Sequence, residues 1–104
     1  MKKHEKYVEC GNLRNATHLE VSVYYSKGGI SYFTGQTSPR GYYLSVTPVK
    51  KGSNMVSYEM FSGFKQLLLE TKRYSDKQFG QAIEMSKGVE QELIAAVIDK
   101  HKAA

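Results

Sequence analysis

The first half of the chain carries short runs in which apolar and polar side chains alternate, the period of two that half-buried β-strands show. The clearest run is HLEVSVYYS, residues 18 to 26, and a second lies at residues 41 to 49. Between them, ISYFT at residues 30 to 34 predicts a strand, joined to the first by a tight hairpin at KGG, residues 27 to 29. A fourth strand is predicted at residues 55 to 61.

The second half changes to the helical period. In residues 62 to 73, Phe64, Leu67 and Leu68 recur at helical spacing and predict a first helix. Ser75 opens a capping box with Gln78 and predicts the start of a second helix. The apolar stripe of that helix is Phe79, Ala82, Ile83, Ser86, Val89, Leu93, Ile94 and Val97. Its two glycines each lower helix propensity by about 1 kcal/mol, so a bend near residues 86 to 88, or two shorter helices, is left open.

Strands followed by helices, with hairpin turns and no βαβ crossover, predict an α+β fold. We expect an antiparallel meander of three to four strands, with C-terminal helices packed on one face. A single domain should span residues 18 to 104, with the sheet at 18 to 61 and the helices at 62 to 102. Residues 1 to 17 show no period and are expected to form a loose N-terminal arm or an edge segment.

Length and composition support a single domain inside the cell. The 104 residues are enough for one buried core. The basic start of the chain is interrupted by Glu5 and Glu9 where a secretory signal needs an apolar stretch. Cys10 is the only cysteine, which excludes an internal disulfide and suits a reducing compartment. No apolar run approaches the roughly 18 residues of a membrane span. We therefore expect a cytoplasmic protein without membrane insertion.

The positive charge of the chain is concentrated in the predicted sheet. Residues 21 to 58 contain no acid and four cations, hence +4, which leaves +1 for the rest of a chain whose net charge is +5. Those cations are Lys27, Arg40, Lys50 and Lys51. Such asymmetry favours an anionic partner, nucleic acid first and a membrane surface second, although a merely solvated basic face is an equal alternative.

The aromatic doublets of the strands indicate where a partner could bind. Adjacent strand residues point to opposite faces, so if Tyr25 and Tyr42 enter the core, Tyr24 and Tyr43 should face away from it and meet water. The middle strand could place either Tyr32 or Phe33 on that outer face, and we choose Phe33. Rings among small hydroxyl side chains with a basic rim suit single-stranded nucleic acid, because bases stack on the rings and cations neutralise phosphates.

Two other interpretations of this outer face stay open. Tyrosine has a high strand propensity, so outward rings can pair across strands without a ligand. The same rings can also form a contact with a protein partner or with a second copy of the chain, as a homodimer. We therefore predict a binding module that uses this face, with nucleic acid as the favoured partner and protein interaction as the alternative.

The sequence offers no catalytic or metal-binding pattern. His4, His18 and His101 fall at no metal-ligand spacing, and one cysteine cannot build a thiolate site. Nothing orients Cys10 and His18 as a nucleophile and base, and Glu59 has no carboxylate partner at a recognisable interval. We expect neither enzymatic activity, nor a metal, nor a small-molecule cofactor.

The stretch GGISYFTGQTSPRGYYLSVTPVKK, residues 28 to 51, together with FSGFKQLLLE at residues 61 to 70, resembles small uncharacterised proteins of bacterial plasmids, prophages and conjugative elements. The resemblance covers under half of the chain. It implies an accessory protein of a mobile element with no known activity, and it assigns no functional residue. The layout of a strand meander followed by a helix is also similar to single-stranded-DNA-binding transcriptional coactivators, but one fold hosts many functions.

Overall fold

The structure, a computed structural model, describes residues 2–13, 16–30, 35, 37–51, 56–58 and 63–103. The elements in chain order are β1 (Lys3–Leu13), β2 (Ala16–Ser26), β3 (Gly29–Ile30), β4 (Thr37–Ser38), β5 (Gly41–Lys51), β6 (Val56–Tyr58), β7 (Phe64–Glu70) and α1 (Asp76–Ala103). Strands therefore precede one C-terminal helix, which confirms the predicted α+β class.

The main sheet is an antiparallel meander in the order β1, β2, β5 and then β6 with β7. β6 pairs with the last residues of β5, while β7 pairs with the first residues of β5 along the same edge. Val49 faces Tyr58, and three residues earlier Val46 faces Phe64. The two short strands thus form one outer strand in two pieces, and the sheet is four strands wide.

The core lies between this sheet and α1. Val21 pairs with Val46 and Val23 with Leu44, so their side chains form one apolar face. These residues are buried against Phe79, Ala82, Ile94 and Val97 of α1. The predicted inward residues of the strands and the predicted stripe of the last helix are therefore confirmed. The other predicted stripe residues are buried or partly buried, including Ser86, whose hydroxyl donates to the Ile83 carbonyl at 2.6 Å.

Ser75 caps the start of α1 as predicted, but the reciprocal bond of a capping box is replaced: the Ser75 N–H donates to the Tyr42 hydroxyl at 2.9 Å, and the Gln78 side-chain oxygen accepts from the Thr71 hydroxyl at 3.3 Å. The backbone N–H of Gln78 donates to the Ser75 hydroxyl oxygen at 3.1 Å, which satisfies one of the free N–H groups of the first turn. The helix then continues without interruption through residues 86 to 88 to Ala103. Two shorter helices are thereby excluded.

Two sequence predictions about elements are wrong. Residues 3 to 13 are not a loose arm but the edge strand β1, which pairs with β2 over most of its length. The alternation is hidden because Lys6 occupies a core-facing position, where its ammonium pairs with the mostly buried carboxylate of Glu90 on α1 at 2.6 Å. The edge-segment alternative was the right one.

The second error concerns residues 64 to 70, which form strand β7 rather than a helix. A short apolar run such as Leu67 to Leu69 satisfies both periods, and only the length of the element separates them. A register shift between Tyr42 and Tyr43 lets Leu68 and Leu69 both pack against the core.

The turn at KGG also differs from its predicted role. Gly28 and Gly29 adopt the expected positive φ angles of 75° and 141°. They do not return the chain beside β2, whose partners are β1 and β5. Instead β3 pairs with β4 in a separate two-stranded ladder, here called the flap. Of the strand predicted at residues 30 to 34, only Ile30 lies within the described residues.

Candidate nucleic-acid interface

Tyr24 and Tyr43 lie side by side on the face of the sheet opposite α1. They are directly paired across β2 and β5, and their rings stack with centroids 6.1 Å apart and planes inclined by 23°. The direction predicted for both side chains is confirmed, because Tyr25 and Tyr42 point the other way, into the cluster around α1.

Tyr43 is only 4% exposed, so the prediction that it meets solvent is wrong. Its hydroxyl donates to the Pro39 carbonyl at 2.6 Å, and the Lys65 ammonium lies 4.9 Å from the centre of its ring. Leu67 of β7 is its partner on the side away from Tyr24. Alternation sets the face toward which a side chain points, but neighbours on that face decide its exposure. Tyr24 is partly exposed and is the ring of the pair available to a ligand.

The outer face is also closed along its centre. Glu20 and Ser22 are 6% and 4% exposed. The Tyr7 hydroxyl donates to the Glu20 carboxylate at 3.3 Å, and the Lys3 ammonium lies 3.8 Å from it. The predicted bare plate of rings is therefore wrong in this region. What remains open is the end of the sheet where Tyr24 lies.

Three exposed cations lie at that end in addition to Lys3, which is directly opposite Tyr24 and pairs with Glu5 and Glu20. Lys27 directly follows β2, and Arg40 directly precedes β5. The Arg40 Nε donates to the Lys27 carbonyl at 3.0 Å. Lys65 reaches the same end from β7 by leaning over Tyr43. Within the described ranges, none of the three ammonium or guanidinium groups forms an ion pair. We call Tyr24, Tyr43, Lys27, Arg40 and Lys65 the tyrosine site.

Lys65 was missed by the sequence analysis. It falls in the segment predicted as a helix, where it would have pointed away from the sheet. Only the strand register, with Lys65 opposite Ser45, brings it to the outer face beside Tyr43. The signal that could place it is the spacing of Lys65 and Leu67, since residues two apart share one face of a strand.

The remaining predicted site residues are not brought to the tyrosine site. Lys50 is exposed at the far end of β5, nine residues from Gly41, which corresponds to about 30 Å of extended strand. Lys51 follows it at the same end. Phe33 lies outside the described residues. The four predicted cations therefore split into Lys27 and Arg40 at one end and Lys50 and Lys51 at the other.

Burial keeps the two phenols of the site neutral. It raises the pKa of Tyr24 above its ordinary value of 10.0, and the neighbouring Tyr43 raises it further. Burial likewise raises the pKa of Tyr43, with Glu70 adding to the shift. Both rings therefore carry no charge at physiological pH, and the carboxylate of Glu70 lies close enough to act on Tyr43.

The site can stack one flat ligand on Tyr24 and attract negative charge with three cations. Among the residues that the structure describes, no three histidine, cysteine, aspartate or glutamate side chains come close enough to hold a metal ion. In the same part of the chain, no helix is both long and apolar enough to cross a membrane.

Comparisons of the chain with protein-family models, with curated proteins and with solved structures returned no match. The resemblance to proteins of mobile elements therefore stays a prediction.

Proposed function

We propose that this protein is a non-enzymatic module that binds single-stranded nucleic acid at the tyrosine site. The observation that carries the proposal is a partly exposed ring, Tyr24, at the end of the sheet where three exposed cations lie, none of them in an ion pair with a described carboxylate. Aromatic side chains that stack on bases and cations that track the phosphates are the two components that proteins combine for single strands.

A single strand suits this geometry better than a duplex. Base faces are accessible in single strands, whereas in a duplex they are stacked on one another. Tyr24 is held by its stack on Tyr43, which is itself fixed by a hydrogen bond to Pro39. A ring that is already oriented loses little freedom on binding, which favours affinity.

The first test is a fluorescence anisotropy titration with a labelled oligothymidine at low salt. Stacking contributes about 1 to 3 kcal/mol per base, so Tyr24→Ala should weaken binding roughly 5- to 150-fold. Tyr24→Phe is the matched control, because it keeps the ring and removes only the hydroxyl, and it should bind like the wild type. Circular dichroism of both variants verifies that the sheet is intact.

The proposal fails if the folded wild-type protein does not bind the oligonucleotide at low salt, or if Tyr24→Ala binds as tightly as Tyr24→Phe. The alternative, self-association through the same face, is tested on the same samples by light scattering. The described outer face argues against it, since Lys3, Glu5, Ser45 and Thr47 are polar, whereas dimer interfaces have an apolar core. A dimer that survives high salt and dissociates in Tyr24→Ala would favour that alternative.

A further inference from the structure

A cleft opens between the flap and the outer face of the sheet, next to the tyrosine site. Its volume is about 210 Å³, and its lining is Ser26, Gly28, Gly29, Ile30, Ser38 and Lys65. Ser26 lies two residues after Tyr24 on β2, so both side chains leave the same face of the sheet. The cleft and the exposed ring are therefore neighbours.

The wall of the cleft forms where the backbone at Gly28 approaches the backbone at Ser38 more closely than a residue with a Cβ would permit. Gly28 has a φ of +75°, and a Cβ added to it would lie 2.5 Å from the Ser38 carbonyl oxygen. Its N–H donates to the Ser26 hydroxyl oxygen at 3.2 Å, which leaves the hydroxyl hydrogen of Ser26 free to donate to a ligand. The turn thus holds a donor at the floor of the cleft.

Lys65 supplies the charge of this cleft. Its ammonium is fixed over the Tyr43 ring at 4.9 Å, and that ring stacks on Tyr24. A lysine held by a ring keeps its charge while its long stem loses mobility. A charged donor beside a hydroxyl donor is a combination that binds phosphate oxygens, because hydrogen bonds from ionised donors are shorter and stronger than neutral ones.

We propose that this cleft is a phosphate subsite, in which Lys65 and Ser26 bind the phosphate of the nucleotide whose base stacks on Tyr24. The inference rests on the proposed function and makes it more specific. The site binds a nucleotide unit, base and phosphate together, and a nucleoside without phosphate binds poorly. The phosphate can be a terminal monoester or an internal diester, and both present the anionic oxygens that the cleft requires.

The test is a titration of ¹⁵N-labelled protein followed by amide chemical shifts. Four probes separate the possibilities: thymidine, thymidine 5′-monophosphate, the dinucleotide TpT without a terminal phosphate, and inorganic phosphate. We expect the amides of Gly28 and Gly29 to shift with the monophosphate and not with thymidine. An equal shift with TpT shows that a diester suffices, whereas a shift with the monophosphate alone assigns the cleft to a strand end. Both results support the subsite.

Lys65→Met is the decisive variant, because it removes the charge and keeps an apolar stem over Tyr43. It should abolish the shifts at Gly28 and Gly29 and make the salt dependence of oligonucleotide binding shallower by about 0.7 in log–log slope, the value for one phosphate contact on a single strand. The control is Lys87→Met, which removes an exposed lysine of α1 and should change neither readout.

The subsite and the proposed function fail in different ways. If the oligonucleotide binds and Lys65→Met binds it with unchanged affinity and slope, the subsite is wrong and the function stands. If no oligonucleotide binds, while inorganic phosphate shifts Gly28 and Gly29 only when Lys65 is present, the cleft binds phosphate through Lys65 and the proposed function is wrong. Shifts at Gly28 and Gly29 that are the same in Lys65→Met as in the wild type would overturn the subsite.

Discussion

Tyr43 shows how far a single residue can be interpreted from its position in a strand. The alternation of β5 places Tyr42 and Tyr43 on opposite faces, and the structure agrees. Both are nevertheless buried, Tyr42 against α1 and Tyr43 between Tyr24 and the side chains of β7. The hydroxyl of Tyr42 is satisfied by both the N–H and the carbonyl of Ser75, and that of Tyr43 by Pro39. Tyr43 thus supports the site, and Tyr24 is the residue that contacts a ligand.

This assignment predicts different effects for removing the two hydroxyls. Tyr43→Phe loses the partly buried hydrogen bond from Tyr43 to the Pro39 carbonyl, so the free energy of unfolding should fall by about 1 kcal/mol. Tyr24→Phe should change it by less than about 0.5 kcal/mol, the usual range for a substitution away from buried polar groups. Urea unfolding followed by circular dichroism measures both. Equal effects of the two variants would contradict the supporting role of Tyr43.

At the scale of elements, the sequence correctly predicts the strands and the helix whose hydrophobic pattern fits only one type of secondary structure. The two strands β2 and β5 have long alternating runs, and the helix α1 has a long apolar stripe and an N-cap. All three form where they are predicted. The pattern of β1 is hidden in the sequence because the core-facing Lys6 is stabilised by Glu90, a partner that is distant in the sequence and is not part of the predicted apolar stripe of α1. The sequence of β7 also predicts a helix, because three consecutive leucines fit both the helical period and the strand period. In both cases long-range pairing decided the outcome, and a single sequence does not show such pairing.

Replacing a glycine within α1 tests whether this helix is continuous. Gly88 is exposed, and a Cβ added there would contact nothing within 4 Å. Gly88→Ala should therefore raise the free energy of unfolding by about 0.5 to 1 kcal/mol, because alanine loses less conformational freedom in a helix. Chemical denaturation measures the change.

Gly28→Ala is the contrasting variant, because its Cβ would clash with the Ser38 carbonyl and its φ is positive. It should destabilise the flap. A loss of stability in Gly88→Ala would mean that α1 is broken at this point.

The distribution of charge changes when the chain is seen as a whole molecule. The block without acids, residues 21 to 58, predicts that the excess positive charge lies on the sheet. β1 instead brings Glu5 to the outer face, where Lys3 pairs with both Glu5 at 3.3 Å and Glu20 at 3.8 Å. These three side chains sum to −1, and Lys3 is directly opposite Tyr24 in the strand register. Among the described residues, Lys27, Arg40 and Lys65 are the cations at this end that form no ion pair, so the fold confines the candidate site to a smaller area than the sequence suggests.

The most direct test of the tyrosine site compares two double variants of equal net charge by the salt dependence of oligothymidine binding. Each phosphate contact on a single strand contributes about −0.7 to the slope of log affinity against log salt concentration. Lys27→Met with Lys65→Met should make the slope less negative by about 1.4. Lys50→Met with Lys87→Met, at the far end of β5 and on α1, should leave the wild-type slope unchanged. Equal changes in the two double variants would show that binding follows net charge alone and would contradict a site at Tyr24.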